Sequence, residues 1–380
     1  FNVGTSGLVL NNATHDTQSL LAGQIGANLN FNGKSAELII NEVVGAFASN
    51  LQGLLEVAGQ KANVFIVNPN GMICNGCGFI NVPAVTLSTG KPVFDKDGAL
   101  EALEVKKGII TLGEKGLDAT AQDTVDIISR TTQLNGRLQA KNLTLTQGPN
   151  RVDFKRGTIV PLAGEGYTPW EAIDTGSLGG MYANKIRLVS TEPGKAVNLT
   201  HLTATQGDIN LIADDKVILG DVQAKTDINM RGKSIAMAER SHMQAGQHLT
   251  LTTDTLQNRG RIHAAGDVAI KTKALSLDGG NINAGNHVLL QGENSFTMRG
   301  ADISGLNITL ISNGYSTSVL PGSSDTPEGT QALSLISAVN TLRILSERGL
   351  SLSDTLISRA KNIFVASNEW IDINQHLAAD

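Results

Sequence analysis

Two cysteines spaced Cys74-x-x-Cys77 are the sharpest chemical signal in the 380 residues. That spacing suits thiol redox chemistry, half of a zinc site, a local disulfide or two quiet thiols in a turn. Zinc would need two further ligands, yet the seven histidines begin at His15 and resume only at His201. A redox thiol would want a helix after the first cysteine to lower its pKa. Gly78, Phe79 and the strand-like stretch Ile80 to Leu87 follow instead. The local disulfide and the quiet thiols stay open together, and no metal or cofactor is expected.

Carboxylates and histidines are the other candidates. Asp214 and Asp215 are adjacent, so in a strand they point to opposite faces. Asp208 and Asp227 fall at equivalent places in two related segments, where they would stack. A polysaccharide lyase or hydrolase needs such carboxylates to converge on one face. However, His248 and His287 take the same place in other segments, which reads as a solvated column of turns. Those two histidines lie two repeats apart, roughly 10 Å at inter-strand spacing, too far to share one metal ion. An enzyme is therefore the remote alternative.

The elements that must carry these residues are visible as a repeat. Ala204-Thr-Gln-Gly-Asp-Ile-Asn-Leu, Ala224-Lys-Thr-Asp-Ile-Asn-Met, Ala245-Gly-Gln-His-Leu-Thr-Leu and Ala264-Ala-Gly-Asp-Val-Ala-Ile succeed one another. Ala284-Gly-Asn-His-Val-Leu-Leu and Ser304-Gly-Leu-Asn-Ile-Thr-Leu continue the series. The first apolar residues, Ile209, Ile228, Leu249, Val268, Val288 and Ile308, are separated by 19, 21, 19, 20 and 20. Leu342 and Ile363 follow after 34 and 21, the long interval being one period plus a Gly/Ser/Pro-rich insertion at Asn313 to Thr330. Two or three short alternating strands per 20 residues, joined by Gly, Asn and Asp turns, predict one rung of a β-solenoid. Stacked at inter-strand spacing, roughly 14 to 16 rungs would make a rod on the order of 70 Å.

Composition agrees with thin rungs. Apolar residues make up 41%, aromatics only 4%, with 41 glycines and 9 prolines. A net charge of −5 without a basic stripe argues against nucleic acid. No apolar run is long enough to cross a bilayer as a helix. Phe1 leads directly into strand-like Asn2 to Leu10 with no signal peptide, which reads as a processed form or a fragment. No polar cap is visible up to Ile371, so the repeats are expected to continue past Asp380.

The first half is less regular, with a Gly- and Pro-containing excursion from Arg151 to Thr175 that carries Tyr167 and Trp170 and would suit an adhesive loop. Three stretches stand out: Ile39-Ile-Asn-Glu-Val43, Val64-Phe-Ile-Val-Asn-Pro-Asn-Gly71 running on to Asn81, and Ser177-Leu-Gly-Gly-Met-Tyr-Ala-Asn-Lys-Ile-Arg-Leu-Val189. Asn68-Pro69-Asn70-Gly71 is a strong turn signal, and a buried Asn amide there can bond backbone groups of adjacent rungs.

Taken together, these motifs resemble the two-partner-secretion domain of the filamentous haemagglutinin family, in its contact-dependent growth inhibition (CdiA-type) branch. Asn68-Pro69-Asn70-Gly71 matches the signature tetrapeptide, Asn41-Glu42 lies where a second short Asn motif belongs, and Cys-x-x-Cys marks the CdiA and haemolysin branch. The resemblance implies an all-β, right-handed parallel β-helix, with a secretion domain at 1–190 and the first haemagglutinin repeats at 191–380. It implies export through the periplasm to the surface of a Gram-negative cell, read by a TpsB-family (CdiB-like) outer-membrane barrel with POTRA modules. Asn41, Glu42, Asn68, Pro69, Asn70 and Gly71 would be the recognition or folding motif. An extracellular destination favours a Cys74–Cys77 disulfide. The full-length protein would carry a C-terminal toxin to a target-cell receptor, with a haemolysin/cytolysin or a filamentous adhesin as the alternative. Such proteins normally have a signal peptide and more N-terminal cap, whose absence here would leave an edge prone to association.

Overall fold

The computed structural model describes residues 1–314, 316–320, 333–353, 355–358 and 360–374, and among them every helix or strand is a strand. The chain divides into two compact units, Phe1–Thr203 and Ala204–Asp380.

In the second unit the anchors read from the sequence are direct partners: Ile209 with Ile228, Leu249 with Val268, Val288 with Ile308, Leu342 with Ile363, and so on along the whole series. All pairings are parallel, as a coil of rungs requires. Anchors from Ile209 to Leu342 are fully buried, each worth about 1.5–3 kcal/mol of hydrophobic free energy. A rung alone would leave that face wet, so the repeat stabilises itself only by stacking.

Each rung has a third strand between the two that alternation reveals most clearly. His242–Ala245, Arg261–Ala264 and Asn281–Ala284 stack in register, burying Met243, Ile262 and Ile282. The Ala-Gly turn that follows is sterically fixed. A Cβ on Gly246 would lie 2.0 Å from the Lys225 carbonyl oxygen, and one on Gly285 2.0 Å from that of Ala265. In the next position the side chains lace rung to rung: Asp227 Oδ1 accepts from His248 N at 2.9 Å, and Asp267 Oδ1 from His287 N at 3.1 Å. The Asp/His column is therefore a backbone-satisfying one.

The insertion starts later than its composition suggests. Ser316–Leu320 is a rung strand, paired with both His287–Arg299 and Gly349–Ser353. Its Ser-Thr-Ser-Val-Leu sequence fits a pleat despite the surrounding Gly and Ser. Residues 321–330, the rest of the expected loop, lie outside the described residues.

The first unit carries the same three-sided coil with more decoration. One ladder runs through Leu38–Glu42, Asn63–Val67, Ala84–Ser88, Leu117–Ser129, Arg137–Gln147 and Gly180–Ser190. A second runs through Ser49–Leu51, Met72–Cys74, Ile109–Leu112, Thr131–Leu134 and Glu171–Thr175. A third, Leu8–Asn12 with Leu54–Gly59 and Gly78–Ile80, starts the remaining side.

The excursion at Arg151 is half of a larger addition. Asn150–Asp153 and Thr158–Pro161 join Lys91–Phe94 and Leu100–Val105 in a four-stranded antiparallel sheet outside the coil. That sheet packs Leu103 and Val105 onto Val67 and Ile128, with Ile40, Phe65 and Val152 at the margin. Phe65 meets Phe154 edge-on at 5.7 Å. The unbroken apolar run Val64-Phe-Ile-Val is thus covered on both faces, which is why it does not alternate, while Leu38-Ile-Ile stays half-buried with Ile40 at the cluster's margin.

Candidate partner-recognition site

The strand Asn63–Val67 stops at Asn68, where Pro69 removes a ladder donor and a turn closes with Gly71 N donating to Asn68 O at 3.0 Å. Gly71 sits at φ +102°, and a Cβ there would approach the Ile109 carbonyl oxygen to 2.9 Å. Asn68 is fully buried. Its Oδ1 accepts from Asn70 N at 3.0 Å, while its Nδ2 donates to Phe47 O and to Ser49 Oγ, both at 3.0 Å. Asn70 Nδ2 donates to Gly45 O at 2.7 Å. The amide nitrogens of both asparagines therefore donate to one object, residues 45–49 of the preceding rung. Ser49 N, donating to Gly71 O at 3.1 Å, completes the clasp.

Asn41 and Glu42 close the neighbouring strand on the same side. Asn41 pairs in register with Ile66 and Glu42 with Val67, the residue immediately before Asn68. Asn41 Nδ2 is buried with no hydrogen-bond partner among the described residues, whereas Glu42 is exposed. The structure therefore brings both short motifs to one corner of the coil and gives them opposite characters: Asn68 is fully bonded, Asn41 is not.

Cys74 and Cys77 lie one turn further on and are joined by a disulfide, with Cα atoms 5.4 Å apart. Cys74 ends the strand Met72–Cys74 and Cys77 bridges to Leu117 in the next rung, so the bond fixes the bend between two faces. Both are buried.

Two groups at this corner have no local sequence signal. The first is Arg130, buried and bidentate to Glu192, with Nη2 to Oε1 at 2.8 Å and Nε to Oε2 at 3.0 Å. Its Nη1 donates to the carbonyls of Glu165 at 2.7 Å and Tyr167 at 3.1 Å, tying down the return of the excursion. The second is an open groove of about 580 Å³ beside the turn, between Ala46 and Asn70 on one wall and Lys107 and Tyr167 on the other. The Glu165 carboxyl is held below its ordinary range by the Lys106 ammonium at 3.0 Å, with Lys91 and Lys107 adding to the field. Among the described residues no group of three or more His, Cys, Asp and Glu could hold a metal ion.

Residues 1–219 match the family described as TPS secretion domain. The "16S rRNA endonuclease CdiA" of Enterobacter cloacae is 44% identical over 335 residues, covering 82% of this chain and 10% of that protein. The "Toxin CdiA" of Escherichia coli is 41% identical over 337 residues, covering 82% and 11%. The "tRNA nuclease CdiA-2" of Burkholderia pseudomallei is 39% identical over 221 residues, covering 58% and 7%. The chain thus spans about a tenth of the length of the first two. A solved structure, "Crystal structure of filamentous hemagglutinin secretion domain", aligns with a TM-score of 0.50 and 27% identity over 75% of this chain and 87% of that one.

Proposed function

The chain belongs to the TPS secretion domain family, and from that premise we propose that it directs the export of a large contact-dependent growth inhibition exoprotein through a dedicated outer-membrane barrel. The observation that carries the reading is the family match over residues 1–219, which takes in the whole Asn68–Gly71 corner. Exoproteins of this family are secreted. The partner is a TpsB-type transporter of the CdiB kind, with POTRA modules meeting the chain on the periplasmic side. The toxin or nuclease activity in the relatives' names belongs to regions beyond the tenth of those proteins matched here, and the receptor is met there too. A haemolysin or adhesin built on the same module is the less favoured reading.

Residues 1–190 act as the export module and residues 191–380 as the first plain rungs of a filament. What supports the division is that the antiparallel sheet, the disulfide and the signature turn all fall before residue 190. In this reading Asn68 and Asn70 set the register of one rung on the next by clasping residues 45–49. Each rung laid down outside the cell buries apolar surface, and that free energy draws the rest of the chain outward.

The test is a secretion assay of this region behind a signal peptide and N-terminal cap, with and without its barrel. Export should require the barrel and fall with Asn68→Ala. Export independent of the barrel would leave a solenoid without a two-partner role.

A further inference from the structure

In the second unit, four residues bridge the corner between the strands Ile228–Met237 and His242–Ala245: Ala238-Glu239-Arg240-Ser241. The next rung crosses the same corner with only two, Arg259 and Gly260, between Asn258 and Arg261. The longer loop overhangs the shorter turn, and its backbone is fixed there. Ser241 N donates to Ala238 O at 3.2 Å and Arg261 N to Ser241 O at 2.8 Å. A Cβ on Gly260 would fall 2.4 Å from the Ser241 carbonyl oxygen, so the two segments are in close contact. Arg240 takes φ +67°, one of two non-glycine residues in the left-handed region among the described residues. A long side chain held in that strained conformation points to use of the position.

Overhang and turn enclose an open pocket of about 450 Å³, walled by Arg240, His242, Arg259, Arg261 and Asn281. That is the size of a small-ligand cleft. No carboxylate lines it. Asp278 is ion-paired with Arg259 at 3.2 Å and stands in register beside Arg299. Asp221 accepts from His242 N at 3.2 Å, with the ring Nδ1 3.3 Å away. Glu239 and Asp302 are not among the walls. Arg240 and Arg261 remain, and neither guanidinium has a hydrogen-bond or ion-pair partner among the described residues. Two uncompensated guanidiniums in one pocket attract a dianion, and their planar forks match phosphate oxygens bidentately. A carboxylate offers one charge and two oxygens, whereas a phosphate monoester offers close to two charges and three oxygens.

We propose that this pocket binds a phosphate monoester, its oxygens shared between Arg240 and Arg261, with the esterified group lying along Asn281. The side beyond Asn281 gives it room: Gly279 has nothing within 4 Å of where a Cβ would stand. The site lies within Ala204–Asp380 and outside the residues 1–219 that match the secretion family. It therefore does not rest on the export reading, and it gives the plain rungs a binding role of their own.

The experiment titrates the whole chain calorimetrically with glucose 6-phosphate and, as a control, glucose. A second arm uses phosphatidylcholine vesicles with and without phosphatidic acid, a phosphate monoester carried on a lipid. Binding of glucose 6-phosphate but not glucose identifies a soluble phosphorylated ligand. Binding confined to the phosphatidic acid vesicles identifies a membrane-borne one. In either case Arg261→Gln should weaken binding about tenfold or more, the worth of a charged hydrogen bond. Arg240→Gly separates binding from folding, because glycine accepts the left-handed conformation without strain. It should weaken binding to the same degree while raising the denaturation midpoint. Equal binding of glucose, no binding in either arm, or binding indifferent to both substitutions would overturn the site.

Discussion

Asn68 and Asn41 sit on adjacent strands of one corner, yet their amides stand in opposite energetic positions. Asn68 satisfies the buried Ser49 hydroxyl and holds the Phe47 carbonyl, so Asn68→Ala should cost roughly 1–3 kcal/mol, seen as a lower denaturant midpoint. Asn68→Asp, which aims an oxygen at the Phe47 carbonyl, should cost more. Asn41 Nδ2 is buried without a partner among the described residues, in a column that continues with Ile66, Leu87 and Ile127. Asn41→Val should therefore leave stability unchanged or raise it by about 1 kcal/mol. If Asn41→Val nonetheless reduces export, Asn41 is read by the partner; if export is unchanged, that role is excluded. Asp126 offers a pH counterpart. Burial raises its carboxyl above the ordinary range, against a hydrogen bond from Thr144. Its folded form therefore favours the proton, carries no penalty below the unfolded pKa, and loses stability as pH rises through the folded value. Asp126→Asn should stabilise the protein at neutral pH, with the gain vanishing below about pH 4 in denaturation at the two pH values. The Asn68 turn was legible in sequence because turn chemistry is local. The unpaired state of Asn41 was not, since it depends on a neighbouring rung.

At the scale of elements, the return loop of the antiparallel sheet is tied to the coil by one buried ion pair. Arg130 and Glu192 are 62 residues apart and both buried, so removing one partner strands a charge. Arg130→Met should cost about 3–5 kcal/mol and open residues 162–170 to proteolysis. Adding Glu192→Leu should recover most of the global stability while the loop stays open, because its two carbonyl contacts are not restored. Limited proteolysis beside chemical denaturation separates the two effects. The disulfide is a smaller device: a ring of a few residues gains only about 2 kcal/mol from chain entropy, the expected loss for Cys74→Ala with Cys77→Ala. Sequence alone showed the rung strands here because alternation and Gly/Asn turns are printed within a 20-residue window. It showed the Arg151 excursion but not its partners at 91–105, since antiparallel pairing across 50 residues leaves no periodic trace. The double-sided burial of Val64-Phe-Ile-Val was present as an unbroken apolar run, with nothing local to say what covered the second face.

For the molecule as a whole, a repeat coil stores its stability in contacts between neighbours, so its length is adjustable in whole periods and in nothing smaller. The registers of the second unit make this concrete. Leu249 pairs with Val268 below and Ile228 above, and the three residues occupy one equivalent place. Deleting residues 249–267 therefore brings Val268 onto Ile228, keeps His248 before the strand, and leaves every inward residue inward. Such a chain should fold cooperatively, with a denaturation slope reduced in proportion to the surface removed. Deleting an odd, partial length such as residues 249–257 brings Asn258, Gly260 and Ile262 toward places held by Leu249, Leu251 and Thr253. It should cost far more than its size suggests, because it puts Asn258 and Gly260 where Leu249 and Leu251 fill the core and leaves the rung half a coil short of its neighbours. The same pair of deletions distinguishes the export mechanism proposed here from passive leakage. If stacking outside the cell draws the chain through the barrel, whole-period deletion should preserve secretion and partial deletion should arrest it. If both were exported equally well, folding would not be the driving force, however well the rungs themselves are formed.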